Sequence, residues 1–304
     1  MLRRSSSFLA TLGCLGLFLG CGSGGSSTDD IVRVSRQNNS GTYAYFREAV
    51  LGKEGQFKLG SIDQSGSKDV VELVAITPQA IGYSGMGYAT PEVKMLAVKA
   101  EGADAAVAPT SENAAAGAYP LARGLYIYLL GEPEGAKKHY LNWIMSPEGQ
   151  KIVEDIGYVP MPAVEVTDET APPEATIKVA GSDTMVNAAQ AWAEVYMKKY
   201  PQVSIQVSGG GSGVGIAKLI DGTVDLANAS RDMKEEEREQ AASKSGGKQV
   251  KEITTALDAL AVYVHKENPL NEIDIVDLKQ IYGDGGTIQK WSQIKGYPAD
   301  DATN

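Results

Sequence analysis

The sequence has 304 residues, which is enough for two domains of ordinary size. Charged residues make up 22% and hydrophobic residues 43% of the chain, values that exclude a disordered or collagen-like protein. The net charge of -10 disfavours nucleic acid and anionic membrane as the main partner. It does not exclude a small anionic ligand, because a local ring of amides and one or two arginines can outweigh the field of the whole chain.

The first residues of the chain predict an export signal. A pair of arginines precedes an apolar core that ends at Gly20 and is too short to span a bilayer comfortably. The junction Phe18-Leu19-Gly20-Cys21 resembles the lipobox of bacterial lipoproteins, although Phe18 stands where leucine is usual. An ordinary signal peptide with an incidental cysteine is the alternative. We predict a signal peptide over residues 1–20, lipidation of Cys21, and a tether rich in Gly and Ser over residues 21–30.

Strands and helices alternate in the first half of the body. The β-branched, alternating stretch Ile31 to Ser35 predicts a strand, and a polar loop follows it. Tyr43 to Leu51 places its apolar residues on one helical face and is followed by Gly52, so it predicts a helix that ends there. Further along, Ser146-Pro147-Glu148 has the serine cap and the first-turn proline that begin a helix.

The second half continues this alternation. Ile177 to Ala180 and Val203 to Val207 predict strands, and the amphipathic stretch Met185 to Tyr200 predicts the helix between them. A shorter helix is predicted at Ile216 to Ile220, and the continuous apolar run Ala259 to Val264 predicts a buried strand. Strands that alternate with helices predict an α/β fold with largely parallel sheets.

An acidic, proline-rich stretch, Pro162 to Ala175, interrupts this pattern. Its composition predicts a solvated linker, which we assign to residues 166–174. The linker divides the body into two parts of similar size, residues 31–165 and 175–304. These parts do not repeat one another, which excludes a tandem duplication.

Three loops share one pattern, in which a strand is followed by small polar residues and then by a helix start. A helix N-terminus leaves several N–H groups unpaired and carries the positive end of the helix dipole. Glycines let an anion approach the backbone, and hydroxyls add donors. The loops are Asn39-Ser40-Gly41-Thr42, Gly181-Ser182-Asp183-Thr184 and Gly209-Gly210-Gly211-Ser212-Gly213. Because Arg36 and Arg231 lie near two of them, the set predicts an oxyanion-binding site.

The sequence also argues against an enzyme. The glycine loop lacks the Gly-Lys-Ser/Thr of a nucleotide P-loop, and Val214 replaces the second glycine of a G-x-S-x-G nucleophile motif. The histidines His139 and His265 have no metal-ligand spacing, and both cysteines lie in the leader. We therefore expect no catalytic residues, no metal and no cofactor. A phosphatase or another phosphoryl-transfer enzyme is the alternative from a different class.

Longer strings of the sequence resemble one known family. The strings VSRQNNSGTYAYF, LNWIMSPEGQKIVEDIGYVPMP, IKVAGSDTMVNAAQAWAEVY and VSGGGSGVGIAKLIDGTVDLANASRDMK closely resemble the phosphate-binding protein of bacterial high-affinity phosphate ABC importers. The resemblance covers nearly all of residues 31–165 and 175–304. It implies an α/β fold of two lobes, joined by two crossing strands, with the ligand in the cleft between the lobes.

The resemblance also implies a function. It implies a monomeric, non-enzymatic receptor in the periplasm or at the outer surface of the cell envelope, which captures inorganic phosphate for the membrane subunits of an ABC importer. The lipid anchor would be its only contact with the membrane, and nucleic acid would not be a partner. Another tetrahedral oxyanion, such as sulfate, molybdate or an organophosphate, is the alternative ligand. A permuted relic that has lost transport is a further alternative.

The order of the two parts differs from the order in the family. There, the segment that matches Gly181-Ser182-Asp183-Thr184 comes first, and the family pattern runs continuously if residue 304 is joined to residue 31. We therefore predict one complete, circularly permuted protein. Lobe 1 then consists of residues 119–165 and 175–258, and lobe 2 of residues 31–118 and 259–304. The crossings are expected near Gly124 to Leu130 and Ala259 to Val264.

The ligand donors of the family fall, by motif match, on residues of both lobes. They are Ser182, Thr184, Ser212, Gly213, Ser230 and Arg231 in lobe 1, and Arg36, Ser40, Gly41 and Thr42 in lobe 2. The guanidinium of Arg36 can place two N–H donors on phosphate oxygens. Some members of the family carry an aspartate that accepts the phosphate proton where this chain has Arg231. Asp183 and Asp232 are the candidates to replace it, and the choice between them stays open.

Overall fold

The computed structural model describes residues 29–165 and 171–298. The predicted signal peptide, the lipidation site Cys21, and most of the predicted tether and linker lie outside the described residues. Within those two ranges, no helix is both long enough and apolar enough to cross a bilayer.

The first described range contains six strands and five α-helices. The strands are β1 (Val32–Arg36), β2 (Ile62–Gln64), β3 (Ala80–Gly85), β4 (Val93–Lys99), β5 (Ala122–Leu130) and β6 (Val159–Pro160). The helices are α1 (Gly41–Phe46), α2 (Ser67–Ile76), α3 (Ser111–Ala115), α4 (Gly135–Ile144) and α5 (Pro147–Asp155). A π-helix, Arg47–Leu51, continues α1 and ends at Gly52, whose φ is 87°. The predicted cap of α5 is confirmed, since the Ser146 hydroxyl accepts a hydrogen bond from the Gly149 N–H.

The second described range contains five strands and four α-helices. The strands are β7 (Ala175–Gly181), β8 (Val203–Ser208), β9 (Leu226–Ala229), β10 (Val250–His265) and β11 (Glu272–Asp274). The helices are α6 (Val186–Lys199), α7 (Ser212–Ile220), α8 (Glu235–Lys244) and α9 (Ile275–Tyr282). A short 3-10 helix, Asp183–Met185, leads into α6.

The described strands form an 11-stranded sheet in which β2-β1-β3-β10-β5-β9-β7-β8 is the main order. The pairs within each end of this order, such as β1 with β3 and β7 with β9, are parallel. Strand β10 is antiparallel to β3, β4 and β5, and β5 is antiparallel to β9. The prediction of largely parallel sheets is therefore wrong for the middle of the sheet. The alternation of strands and helices identified the α/β units at the two ends but not the strands that connect them.

Strand β10 is much longer than the predicted strand Ala259 to Val264. It begins at Val250, and its first half pairs with β5, with an irregularity between Thr254 and Ala256. Residues 259–264 are buried throughout, whereas most of the preceding residues are partly exposed. A continuous apolar run detects only strand segments that are covered on both faces. The sequence therefore revealed only the second half of this strand.

Buried apolar side chains form separate cores at the two ends of the sheet. At one end, the ring of Phe46 stacks on that of Tyr83 with 3.9 Å between centroids, and Tyr282 packs edge-on against both. At the other end, Trp192 and Tyr196 belong to a cluster that covers β7 and β8. We use lobe 2 for the end that contains β1 to β4 and lobe 1 for the end that contains β7 to β9.

Both strands β5 and β10 run from one core into the other. Along β5, Leu121 just before the strand belongs to the core of lobe 2, and Leu125 belongs to that of lobe 1. Along β10, Ala256 packs in lobe 1 and Ala259 in lobe 2. Two neighbouring backbone segments thus link the lobes, which is the arrangement that permits hinge motion between them.

The two ends of the described chain lie side by side in lobe 2. The Asp29 carboxylate accepts hydrogen bonds from the Ser292 hydroxyl at 2.7 Å and from its N–H at 2.8 Å. The N–H of Ile31 donates to the carbonyl of Gln289 at 2.8 Å. The first described strand therefore begins beside the last described segment.

Candidate functional site

The three predicted loops meet between the lobes. The hydroxyls of Thr42 and Thr184, which are 142 residues apart in the chain, are hydrogen-bonded at 2.8 Å. The Gly213 N–H donates to the Asn39 carbonyl at 3.1 Å, and the Asn39 side-chain amide donates to the Gly210 carbonyl at 3.1 Å. The lobes are therefore in direct contact around a cleft, with the N-terminal ends of α1, α6 and α7 facing it.

Gly41 lies where the two lobes approach each other very closely. A Cβ atom at this position would lie 2.6 Å from the Ser230 hydroxyl oxygen and 2.9 Å from the Ser212 Cβ, with the Ser212 hydroxyl oxygen closer still. Ser40 caps α1 by accepting from the Thr42 N–H at 3.1 Å. Only glycine permits this approach, so the Ser-Gly-Thr sequence brings the helix start of lobe 2 against the hydroxyls of lobe 1.

Arg36 at the end of β1 is 1% exposed and donates to both lobes. Its guanidinium bonds the Ser67 hydroxyl and the Ser65 carbonyl, each at 2.8 Å, and forms a 3.0 Å ion pair with Asp183 of lobe 1. Burial lowers the pKa of Arg36, and the Asp183 carboxylate opposes that change. An arginine stays protonated despite such a shift, so a buried positive charge lies at the cleft.

The two candidate proton acceptors lie in different surroundings. The Asp183 carboxylate accepts from Arg36 and, at 2.8 Å, from the Gly210 N–H, so it belongs to the interlobe cluster. Asp232 is exposed and lies beside the Tyr126 hydroxyl. Burial, followed by the charge of Asp232, raises the pKa of Tyr126. Of the two aspartates, the structure brings only Asp183 into the cluster.

Arg231, a predicted donor, is paired with a carboxylate of its own lobe. Its guanidinium donates to both carboxylate oxygens of Glu237, at 2.8 and 2.7 Å. Burial raises the pKa of Glu237, but the bonds from Arg231 and from the Lys234 N–H lower it by more, so its pKa lies below the ordinary value. The neighbouring predicted residue Ser230 does lie in the cluster, because its N–H donates to the Ser212 hydroxyl at 3.1 Å.

A second buried arginine was not predicted from the sequence. Arg123 lies at the start of β5, where the chain crosses between the lobes. It donates twice to Asp258 on β10, at 2.9 and 2.7 Å, and also to the Thr184 hydroxyl at 3.3 Å and the Ser230 carbonyl at 3.2 Å. Asp258 is fully buried and also accepts from the Met86 N–H at 3.0 Å. No local motif marks Arg123, because its partners come from distant parts of the chain.

Ser67 was missed although a signal for it exists. Its hydroxyl accepts from Arg36 and lies 3.4 Å from the Thr184 hydroxyl. Ser65 and Gly66 follow the strand β2, and Ser67 begins the helix α2. This is a fourth copy of the strand, small polar loop and helix pattern by which the other three loops were found.

The arrangement has the chemistry of an anion receptor. Its donors are hydroxyls, backbone N–H groups at helix starts and two guanidinium groups, which are the groups that bind oxyanions. Its two carboxylates, Asp183 and Asp258, are each paired with an arginine. The Ser182 hydroxyl is buried without a hydrogen-bond partner, so it has a donor free for a ligand. Among residues 29–165 and 171–298, no group of three or more His, Cys, Asp and Glu side chains could hold a metal ion.

The sequence matches known proteins over most of its length. A family model described as a PBP superfamily domain matches residues 22–148 and 166–303. The phosphate-binding protein PstS 2 of Streptococcus agalactiae serotype V is 30% identical over 302 residues, which cover 95% of this chain and 97% of the relative. The phosphate-binding protein PstS of Pseudomonas aeruginosa is 42% identical over 133 residues, which cover 42% of this chain and 41% of the relative.

A solved structure also matches. The crystal structure of a phosphate-binding protein of a phosphate ABC transporter from Streptococcus pneumoniae superposes with a TM-score of 0.66 at 27% sequence identity. The match covers 88% of this chain and 100% of the other.

Proposed function

Because this chain belongs to the PBP superfamily and to the family of the PstS phosphate-binding proteins, we propose that it binds inorganic phosphate between its lobes and delivers it to an ABC importer. One observation carries this proposal: hydroxyls from both lobes converge on one buried cluster. The hydrogen bond between Thr42 and Thr184 links the two lobes there. Hydroxyls that bond one another can turn their protons towards an oxyanion. Closure of the lobes would then surround the ligand and exclude water.

The second element of the proposal is that the protein binds phosphate and does not catalyse a reaction on it. The polar groups of the cleft are donors, and its carboxylates, Asp183 and Asp258, are already bonded to arginines. A phosphoryl-transfer enzyme needs a metal or an activated nucleophile at the ligand, and a hydroxyl becomes such a nucleophile only beside a free base. Turnover of phosphate esters by the purified protein would overturn this element.

We further propose that Asp183 is the residue that accepts the proton of bound phosphate. Its carboxylate lies in the interlobe cluster, whereas Asp232 is exposed. Hydrogen phosphate brings an O–H donor and sulfate brings none, so an acceptor at the ligand favours phosphate. Asp183→Asn should weaken phosphate binding and narrow the preference over sulfate, as measured by calorimetry with both anions. Asp232→Asn is the control, and an unchanged preference in Asp183→Asn would place the acceptor elsewhere.

The direct test of the binding site is calorimetry with phosphate, sulfate and arsenate. A hydrogen bond to a charged ligand contributes about 1.5–3 kcal/mol, so Thr42→Ala should weaken phosphate binding by about tenfold to a hundredfold. Arg36→Ala should cost more, since it removes a charge together with a two-pronged donor. Thr90→Ala removes an exposed hydroxyl in lobe 2 and is the matched control. Binding by Arg36→Ala at parental affinity would show that the assigned cleft is wrong.

We also propose that the halves of this chain are circularly permuted relative to part of the family. The Streptococcus agalactiae relative aligns over nearly the whole chain, while the Pseudomonas aeruginosa relative aligns over less than half despite its higher identity. A difference in segment order would produce this contrast. The adjacency of Asp29 and Ser292 supports it, because a chain joined at that point would be continuous. Residues 175–304 expressed alone should have an incomplete lobe 2 and bind no phosphate; phosphate binding by this fragment would contradict the proposal.

The location outside the cytoplasm and the lipid anchor at Cys21 are the last elements of the proposal. They rest on the apolar leader and on the Gly20-Cys21 junction. Cys21→Ser should release the protein from the membrane fraction, with Cys14→Ser as the matched control. A parent protein found in the soluble fraction with an unmodified Cys21 would contradict the anchor.

A further inference from the structure

Arg123 connects the crossing between the lobes to two loops of the cleft. It is buried at the start of β5 and donates two hydrogen bonds to Asp258 on the other crossing strand, β10. The same guanidinium donates to the Thr184 hydroxyl at 3.3 Å and to the Ser230 carbonyl at 3.2 Å. Its Cζ atom lies 5.5 Å from the centroid of the Tyr45 ring, on helix α1 of lobe 2. One side chain therefore contacts both crossing strands, two loops of lobe 1 and a helix of lobe 2.

The bond from Arg123 restricts how the Thr184 hydroxyl can use its single proton. A guanidinium has donors and no acceptor, so the Thr184 oxygen accepts in this bond and its own proton cannot point at Arg123. That proton is left for the Thr42 hydroxyl, 2.8 Å away in lobe 2, or for an oxyanion that enters between the lobes. A hydroxyl whose oxygen accepts a hydrogen bond is also a stronger donor, because successive hydrogen bonds polarise one another.

A similar arrangement exists on the side of lobe 2. There the Ser67 hydroxyl oxygen accepts from Arg36 at 2.8 Å and lies 3.4 Å from the Thr184 hydroxyl. Arg36 is held by the Asp183 carboxylate, as Arg123 is held by that of Asp258. On each side of the cluster, a guanidinium that is fixed by a carboxylate therefore donates to a hydroxyl of the cleft.

We propose that Arg123 is a positioning residue for phosphate binding, which acts through Thr184 by keeping the proton of that hydroxyl available to the ligand. The inference rests on the proposed function. Because Arg123 lies on β5 and is fixed by Asp258 on β10, the orientation of the Thr184 hydroxyl depends on the crossing strands and not only on its own loop. Binding at the cleft is thus linked to the segments about which the lobes would move.

The test asks whether the effect of Arg123 on affinity passes through the Thr184 hydroxyl. Arg123→Lys keeps a positive charge opposite Asp258 but removes the forked donor. This change is made in the parent chain, in Thr184→Ser and in Thr184→Val, and each protein is titrated with inorganic phosphate by calorimetry. The two backgrounds are a matched pair, because serine keeps the hydroxyl whereas valine has the shape of threonine without it.

We expect Arg123→Lys to weaken phosphate binding about tenfold in the parent and in Thr184→Ser, the effect of losing a charge-assisted hydrogen bond. In Thr184→Val it should change the affinity by less than about twofold, because the hydroxyl on which it acts is absent. An equal loss in all three backgrounds would overturn the inference, since it would show that Arg123 acts through packing or charge alone. So would parental affinity in Arg123→Lys. A parent protein that binds no phosphate would overturn the proposed function and this inference with it.

A second variant covers the case in which Arg123→Lys does not fold, which urea unfolding would show. Arg123→Met combined with Asp258→Asn removes both buried charges together, so neither is left without its partner. The amide oxygen at position 258 can still accept from the Met86 N–H, as the Asp258 carboxylate does. This pair should also weaken phosphate binding in the parent and in Thr184→Ser but not in Thr184→Val. An equal loss in all three would again overturn the inference.

Discussion

Substitution of Gly41 by alanine should prevent full closure of the lobes without removing any polar group of the cleft. The added methyl would stand 2.6 Å from the Ser230 hydroxyl oxygen and 2.9 Å from the Ser212 Cβ. Ordinary contacts of carbon atoms are about 3.5–4.0 Å. The lobes must therefore separate by about 1 Å at this point, because the atoms that the methyl meets belong to buried side chains and not to flexible ones.

The expected loss of affinity follows from the contacts that such a separation breaks. The bond between Thr42 and Thr184 is 2.8 Å long, and the two bonds of Asn39 with Gly210 and Gly213 are 3.1 Å long. An added 1 Å takes all of them beyond hydrogen-bonding distance. At about 0.5–1.5 kcal/mol each, their loss should weaken phosphate binding by about tenfold to a thousandfold.

Calorimetric titration with phosphate measures this loss, and small-angle scattering of the phosphate-saturated protein reports whether the lobes remain apart. Gly213→Ala is the control, because it adds a methyl at the same interface with a milder clash. Its methyl would lie 3.3 Å from the Asn39 carbonyl oxygen, a contact that a shift of a few tenths of an ångström relieves. We expect that control to bind within about threefold of the parent. Parental affinity in Gly41→Ala would refute the argument that this close approach is needed for binding.

Further predictions concern the buried polar groups. Asp258→Ala leaves the buried charge of Arg123 without its ionic partner, so urea unfolding should show a loss of about 3–5 kcal/mol in the free energy of unfolding. A loss below about 1 kcal/mol would contradict this. Ser182→Ala removes a buried hydroxyl that has no hydrogen-bond partner, so it should leave the stability of the protein without phosphate unchanged. It should weaken phosphate binding about tenfold. A drop in stability without a loss of affinity would show that this hydroxyl supports the fold and not the ligand. The pKa of Glu237 lies below its ordinary value of 4.5, so its pairing with Arg231 stabilises the fold above that pH and is lost as the pH falls through the lowered pKa. Glu237→Gln should therefore show a smaller loss of stability on acidification than the parent, and identical pH profiles would rule out this contribution.

Local patterns predicted much of the site. The loops around Ser40, Ser182 and Ser212 were identified because each combines small residues with a helix start, and these signals lie within a few neighbouring positions. The structure brings these loops into contact. The helix α7 begins at Ser212 and not at the predicted Ile216, because the glycines in its first turn lower helix propensity and concealed the true start.

The remainder of the site depends on contacts between distant segments. Arg123 and Asp258 are 135 residues apart and meet only because β5 and β10 pair as the lobes are joined. Arg231 shows a second limit, since its position near a glycine loop predicted a ligand donor but did not reveal its pairing with Glu237. A side chain as long as arginine reaches partners in several directions, so its place in the sequence does not determine which partner it takes.

Strand β10 also affects the order in which the protein can fold during synthesis. Strands β1 to β4 emerge from the ribosome early, but β3 and β4 both pair with β10, which is made near the end of the chain. Until then, one edge of each strand lacks its hydrogen-bonding partner, and such edges can pair with other chains. Lobe 1 receives β7, β8 and β9 consecutively, and β10 is the next strand to be made. The half of the protein that is synthesised first is therefore the half that completes its sheet last. A nascent chain halted before Val250 should need a chaperone to remain soluble.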